Sequence, residues 1–273
     1  MIRSVLLFGL LPAAIPAQIV LQPSHANGAA APADLTHETH TLHLEDEKVW
    51  VHIYQRPGAS VNFVSLHDDE NTSADAAMAY LRQHGGRLVE LRHGRGREIV
   101  IRRGGRLDRF DPNRMFTPTG LRGTLDYYHN LTAANEAIAG LFADKVAGYI
   151  GISASRPVVA VHNNSPGHLT IHDFMPGELY GAAAREVVIM ADQDPDDFFF
   201  TNSEGLFQGI TKRGYNAALM RSQPPDIGSL GYLVNSLGGL YVLVEAERGR
   251  FRRQLQMLEA LVPLLAGLQA SGG

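Results

Sequence analysis

The chain has 273 residues, 45% of them hydrophobic, and a formal net charge of −4, enough for one large or two small domains with a substantial core. It contains no cysteine, which excludes a disulfide scaffold, a thiolate zinc site, an iron–sulfur cluster and a cysteine nucleophile; any transition metal must be held by histidine and carboxylate. The 21 Arg against 3 Lys make a lopsided basic side, but the near-neutral balance argues against a global nucleic-acid binder.

Arg3, the apolar run opening at Val5-Leu6-Leu7-Phe8 and the small residues Ala26-Asn27-Gly28-Ala29-Ala30 predict a secretory signal peptide over about residues 1–30. Pro12 and Pro16 interrupt the run, which is short for a membrane anchor. No later segment reaches the ~20 apolar residues of a spanning helix. The mature protein is therefore expected to be periplasmic or secreted, with no stable membrane span after processing.

Residues 35–273 read as a single domain, without repeats or a long linker. Alternation in Thr41–Leu44 and Val49–Tyr54 predicts early strands, and Val61–Leu66 predicts another. Thr72-Ser73 followed by an alanine-rich stretch predicts a capped helix to about Leu81. Glu98–Phe110 reads as a hairpin about Gly104-Gly105, and Leu131–Ile150 as mostly helix. The apolar runs Pro157–Val161, Val187–Ala191 and Leu240–Val244 suit strands buried on both faces of a sheet. Phe251–Leu265 predicts a closing amphipathic helix, kinked or shortened by Pro263. The expected class is α/β: a mixed, largely parallel sheet flanked by helices.

Three apolar runs stop abruptly at an ionisable residue: Val61–Leu66 at His67, Pro157–Val161 at His162, and Leu240–Val244 at Glu245. In open α/β sheets ligands bind outside the carboxyl ends of strands, so parallel neighbours would bring these side chains to one crevice. Each alone reads as a strand's exit to water; the three together point to a metal or acid–base site. His67 and Glu70, three apart in a tight turn, can face one cation, and with a distant histidine they make a His₂Glu set for zinc with a fourth position open. The His-x-x-Glu spacing is unspecific by itself. Asp111-Pro112-Asn113-Arg114 places a guanidinium beside an amide on a stiffened turn, suited to gripping a carboxylate.

His67-x-x-Glu70, Asp111-Pro112-Asn113-Arg114-x-Phe116, His162 after an apolar strand, Gly228-Ser229-Leu230 and Glu245 occur in an order that resembles the zinc metallocarboxypeptidase family (carboxypeptidase A-like), including its succinylglutamate desuccinylase/aspartoacylase branch. The resemblance spans about residues 61–250. It implies one zinc ion held by His67, Glu70 and His162, and Glu245 as general base and proton shuttle. It further implies a substrate carboxylate at Asn113 and Arg114, and Leu230 near the pocket for the adjoining side chain. Asp68 and Asp69 depart from the pattern, since relatives more often carry small or neutral residues there, and would orient His67. The interval from Glu70 to His162 is short for digestive-type members, leaving Arg95 or Arg97 to stand in for their additional arginine. Their tyrosine ahead of the Gly-Ser loop is replaced by Gln223-Pro224, with Tyr215 and Tyr232 displaced.

Glu247 is a competing base, and His168 and His172 are alternative third ligands. The acidic loop Asp192–Asp197 lacks the ordered spacing of a calcium loop, and the arginines of Arg82–Arg109 read as a solvated, ion-paired hairpin. His37, His40 and His43 read as an exposed strand or arm. The expected function is an exported zinc-dependent hydrolase of C–N bonds, a metallocarboxypeptidase acting on a peptide with a free carboxylate, with cell-wall peptides as a substrate suggested by location. The alternatives are an N-acyl amino acid amidohydrolase of the desuccinylase type and a non-catalytic carboxylate-binding module of the same fold. Nucleic acid is not an expected partner.

Overall fold

The three apolar runs that end at His67, His162 and Glu245 form three adjacent parallel strands. The computed structural model describes residues 32–153 and 155–271, so the predicted signal segment lies outside the described residues. In chain order the strands are β1 (Thr36–Leu44), β2 (Glu47–Arg56), β3 (Asn62–Ser65), β4 (Gly86–Arg92), β5 (Ile99–Arg103), β6 (Arg106–Phe110), β7 (Val158–Asn164), β8 (Ala184–Val188), β9 (Phe198–Thr201), β10 (Asn216–Met220) and β11 (Tyr241–Glu247). The helices are α1 (Asn71–His84), α2 (Pro118–Tyr127), α3 (Ala133–Ile150), α4 (Glu204–Thr211), α5 (Leu230–Ser236) and α6 (Phe251–Ser271). A nine-stranded sheet has the order β1-β2-β4-β3-β7-β11-β9-β10-β8, and β5 and β6 form the separate hairpin about Gly104-Gly105.

The strands β4, β3, β7 and β11 run parallel. Antiparallel pairings enter on either side, at β2 and at β9, so the expected mixed sheet has its parallel part concentrated in the middle. Alternation along each central strand supplies two faces. Val242, Val244, Val159 and Val161 pack with residues of α1, α4 and α6, whereas Leu243, Ala160 and Val64 pack with residues of α2, α3 and α5. The helices thus cover both faces of one sheet.

Three expectations need correction. The Val187–Ala191 run is not buried on both faces: it overlaps β8, an edge strand paired only with β10, and Ile189 is 38% exposed. Pro263 does not end α6, which continues to Ser271; Leu258, Leu261 and Leu265 are buried against the sheet-facing cluster and hold it in place. The first helix begins at Asn71, and the residue at its N-cap is Glu70, whose side chain makes no capping hydrogen bond. Instead Asn163 Oδ1, from β7, accepts the Ser73 amide at 3.0 Å. A local cap worth about 1 kcal/mol is forgone there, and the carboxylate that could have helped supply it is turned elsewhere.

Candidate metal centre

That carboxylate is turned toward two histidines. The chain leaves β3 at Ser65, makes a tight turn closed by the Glu70 amide donating to the His67 carbonyl at 3.3 Å, and enters α1. The turn puts His67 Nδ1 2.8 Å from Glu70 Oε1. The other carboxylate oxygen, Oε2, lies 2.8 Å from His162 Nδ1, on β7. All three side chains are buried, and their candidate ligand atoms lie within 4.8 Å of one another. Strand register brings in the fourth residue, because Glu245 on β11 is the direct parallel partner of His162. Glu245 is 2% exposed and lines the same cavity as Glu70 and His162.

His67 is oriented from its far side. Its Nε2 lies 2.9 Å from Asp111 Oδ1, which also accepts the Asn113 amide at 2.8 Å. Asp68 and Asp69 do not perform this role, contrary to expectation. Asp68 bonds Arg92 and accepts from the amides of His93 and Gly94, and Asp69 pairs with Arg248 at 3.2 Å. The turn carries these two side chains away from the imidazole.

Of the two candidate arginines, Arg97 reaches the site. It donates to Glu70 Oε1 at 2.7 Å and lies 3.7 Å from Asp111 Oδ2. Arg95 is instead bonded to Glu47 at 2.8 Å. Most other arginines of the stretch are likewise in local ion pairs, with Glu45, Glu47, Asp68 or Asp108.

The turn carrying Asn113 and Arg114 is clamped by the Gly-Ser loop. Asn113 Oδ1 accepts the Leu230 amide at 3.1 Å, and the Phe116 amide donates to the Gly228 carbonyl at 3.0 Å. Gly228 has φ +72°, and a Cβ there would fall 2.2 Å from the Arg114 carbonyl oxygen, so this approach requires glycine. Leu230 is fully buried and contributes its amide; its neighbours Ser229 and Gly231 line the cavity in its place. Arg114 donates to Tyr180 Oη at 2.8 Å and sits 5.7 Å from that ring's centroid. Among the described residues no carboxylate pairs with it, which leaves a half-buried guanidinium available to an anion.

Glu247 is not a second base here: it is paired with Arg250 at 2.5 Å and does not line the cavity. It meets Asp194 and Asp196 of the acidic loop, where Arg250 also bonds Asp194 at 2.6 Å, so one guanidinium bridges two of the three carboxylates. His168 lines the cavity without joining the ligand cluster, and His172 stands outside both. Tyr180 was not identifiable in advance, because it arrives from an irregular segment with no spacing relation to Arg114.

Electrostatics fit a cation at the cluster. Burial alone would lower the His67 pKa, but Glu70 and Asp111 override it and hold it up to about 9. Burial would raise Glu70, and His67 and His162 instead hold it well below the ordinary carboxylate range. Glu245 is pushed well upward by burial and then by the charge of Glu70. His67 Nδ1 is buried and close to Glu70, yet has no aligned hydrogen bond among the described residues. Two imidazole nitrogens and a carboxylate converging in this way fit a divalent transition ion.

Binding such an ion must displace the His67 proton. Titration with Zn²⁺ at pH 7 is therefore expected to release about one proton, with affinity rising with pH and levelling near 9. Calorimetry in buffers of different ionisation enthalpy reads this directly. Stability of the metal-free protein should run the other way. The raised His67 pKa stabilises the fold fully below its ordinary 6.5, and that contribution is lost as pH rises through about 9.

No protein-family model matches this chain, and no curated protein matches it. A crystal structure of a protein from Shewanella denitrificans OS217, provisionally named a metallopeptidase, aligns with 86% of this chain and 84% of its own at 14% identity and a TM-score of 0.43. Another from Shewanella amazonensis SB2B, named in the same provisional way, aligns with 85% of this chain and 87% of its own at 7% identity and a TM-score of 0.38. At these scores neither likeness bears on function, which must be argued from the site. No described helix is long and apolar enough to cross a membrane.

Proposed function

We propose that this protein is an exported zinc-dependent hydrolase of C–N bonds, a metallocarboxypeptidase that recognises the free carboxylate of its substrate. The observation that carries the reading is the content of one cavity of about 380 Å³. Its wall includes Glu70 and His162 of the buried donor set, Glu245 in register beside His162, and Arg114 with no carboxylate partner among the described residues.

The residues divide the work by their chemistry. His67, Glu70 and His162 would hold zinc, which when bound supplies Lewis acidity toward a carbonyl and acidifies water. Glu245, kept out of bulk solvent, takes a proton from the attacking water and passes it to the departing nitrogen. Asp111 fixes the His67 ring. Arg97, tied to Glu70 and 43% exposed, would offer its guanidinium to the carbonyl oxygen as charge develops on it. Asn113 shapes the turn, and Arg114, steadied by Tyr180, grips the substrate carboxylate.

A panel of peptides with free C-termini, the same peptides amidated, and N-acyl amino acids tests the reading. Free peptides are expected to be cleaved and amidated ones spared. Cleavage of N-acyl amino acids in preference to peptides would establish the amidohydrolase alternative. Charge-assisted hydrogen bonds are worth about 1.5–3 kcal/mol, so Arg114→Met should lower kcat/KM for free peptides by about 10- to 100-fold. Protein with stoichiometric zinc and no turnover of any of these compounds would be a carboxylate-binding module instead.

A further inference from the structure

Resting on Arg97 as the cation offered to the reacting carbonyl, we infer that Asp68 is its positioning residue: the Asp68 carboxylate seats the loop 93–98 and so sets where the Arg97 guanidinium comes to rest. Asp68 follows His67 in the turn that supplies two of the three metal donors, yet it takes no part in the donor cluster. It is 6% exposed, and its oxygens face the far side of the turn. One lies 2.7 Å from Arg92, the last residue of β4. The other accepts the His93 amide at 2.7 Å and the Gly94 amide beside it. A buried carboxylate that takes up the first two amides of a loop is a strong and directional seat, because each bond is charge-assisted.

Little else fixes the backbone of this loop. Among the described residues, 94–97 form no backbone–backbone hydrogen bond. Gly94 and Gly96 have φ of +71° and +87°. A Cβ at Gly96 would meet nothing within 4 Å, so glycine there answers a backbone requirement and not a shortage of space. The remaining ties are made by side chains: Arg95 to Glu47 at 2.8 Å, Tyr128 to Glu98 at 3.1 Å, and Arg97 itself to Glu70 at 2.7 Å. Arg95 is exposed, and an ion pair at the surface holds weakly. Arg97 follows Gly94 by three residues, so a displacement at the start of the loop is carried to the guanidinium. A misplacement on the order of 1 Å can cost about 10²-fold in rate. One turn thus fixes both the metal donors, through His67 and Glu70, and the loop that brings a cation to them, through Asp68.

Two measurements on the zinc-loaded protein test the inference separately from the function it rests on. The first is a double-mutant cycle on the cleavage of free peptides. Arg97→Met should lower kcat by about 10²–10³-fold, the usual loss of one oxyanion donor. Asp68→Ala should lower kcat by about 10-fold or more with KM changed less than about twofold, and should cost less than about twofold once Arg97→Met is present. An equal cost in both backgrounds, as for a residue that only supports the fold, overturns the inference. Loss of zinc from Asp68→Ala also overturns it, because Asp68 would then serve the ligand turn. If the alanine variant does not fold, two milder ones take its place: Asp68→Asn keeps one acceptor for the two amides, and Gly96→Ala strains the loop without touching Asp68. Each should lower kcat several-fold, and the loss should vanish with Arg97→Met. The second measurement reads position without turnover, from the NMR signals of the Arg97 guanidinium protons. These should exchange with water about 10-fold faster in the Asp68 variant than in the wild type. Unchanged exchange overturns the inference even if peptides are cleaved. Faster exchange in protein that cleaves none of the compounds supports it and removes the catalytic reading instead.

Discussion

Glu245→Gln is expected to lower kcat by about 10²–10⁴-fold, the usual contribution of a positioned general base, while one equivalent of zinc stays bound. The substitution keeps the size of the side chain and removes its capacity to take a proton. Since Glu245 stands beside the ligand cluster in the strand register and is not itself one of its three donors, metal content and thermal stability should be little changed. In the wild type, burial and the neighbouring charge of Glu70 raise Glu245 above the ordinary 4.5. That shift belongs to the metal-free protein; a divalent ion at Glu70 offsets the carboxylate charge and draws Glu245 back toward its ionised, proton-accepting form. Activity equal to wild type in the glutamine variant would exclude Glu245 from the chemistry.

His162→Ala is expected to abolish stoichiometric zinc binding, because two donors fall short of the set of three that holds a catalytic ion. Zinc at about 100 times its dissociation constant stabilises a folded protein by about 2.7 kcal/mol, so a thermal shift on zinc addition should appear in the wild type and vanish in this variant. Asp111→Asn should give a graded version, about 10- to 100-fold weaker in metal affinity or activity, since the His67 ring loses its charged anchor. Unaltered zinc binding by His162→Ala, measured by metal analysis after dialysis, would show that the ion is held elsewhere.

Much of this arrangement was legible in the chain. Strands buried on both faces announce themselves as unbroken apolar runs, and a run that stops at histidine or glutamate marks its own carboxyl end. That is why His67, His162 and Glu245 could be placed in one crevice before any pairing was known. The strand β4 was harder to see, because Arg87, Glu90 and Arg92 interrupt its apolar pattern; Glu90 is buried, and Arg87 bonds the carbonyls of Tyr149 and Ile150. Strand β10 is short and built partly from alanine, a weak strand former, and depends on β9 and β8 for its state.

The site divides along the same line. Residues carried by a strand or by a short motif could be named from the chain, and the turn holding Asn113 and Arg114 does border the cavity. Partners supplied by distant loops could not be: Asp111 rather than Asp68 or Asp69 anchors His67, and Tyr180 steadies Arg114. Arg95 and Arg97 are two residues apart, and only the path of their loop decides which enters the cavity.

The start of α1 has a consequence beyond the cavity. Glu70 sits where a helix would ordinarily find its own cap, and the Ser73 amide is held by Asn163, the residue after His162. Helix α1 packs beside α6 on the same face of the sheet. Metal loading is therefore expected to tighten the first turn of α1, and slowed hydrogen exchange at the Ser73 amide would serve as an internal gauge of it, readable without any substrate.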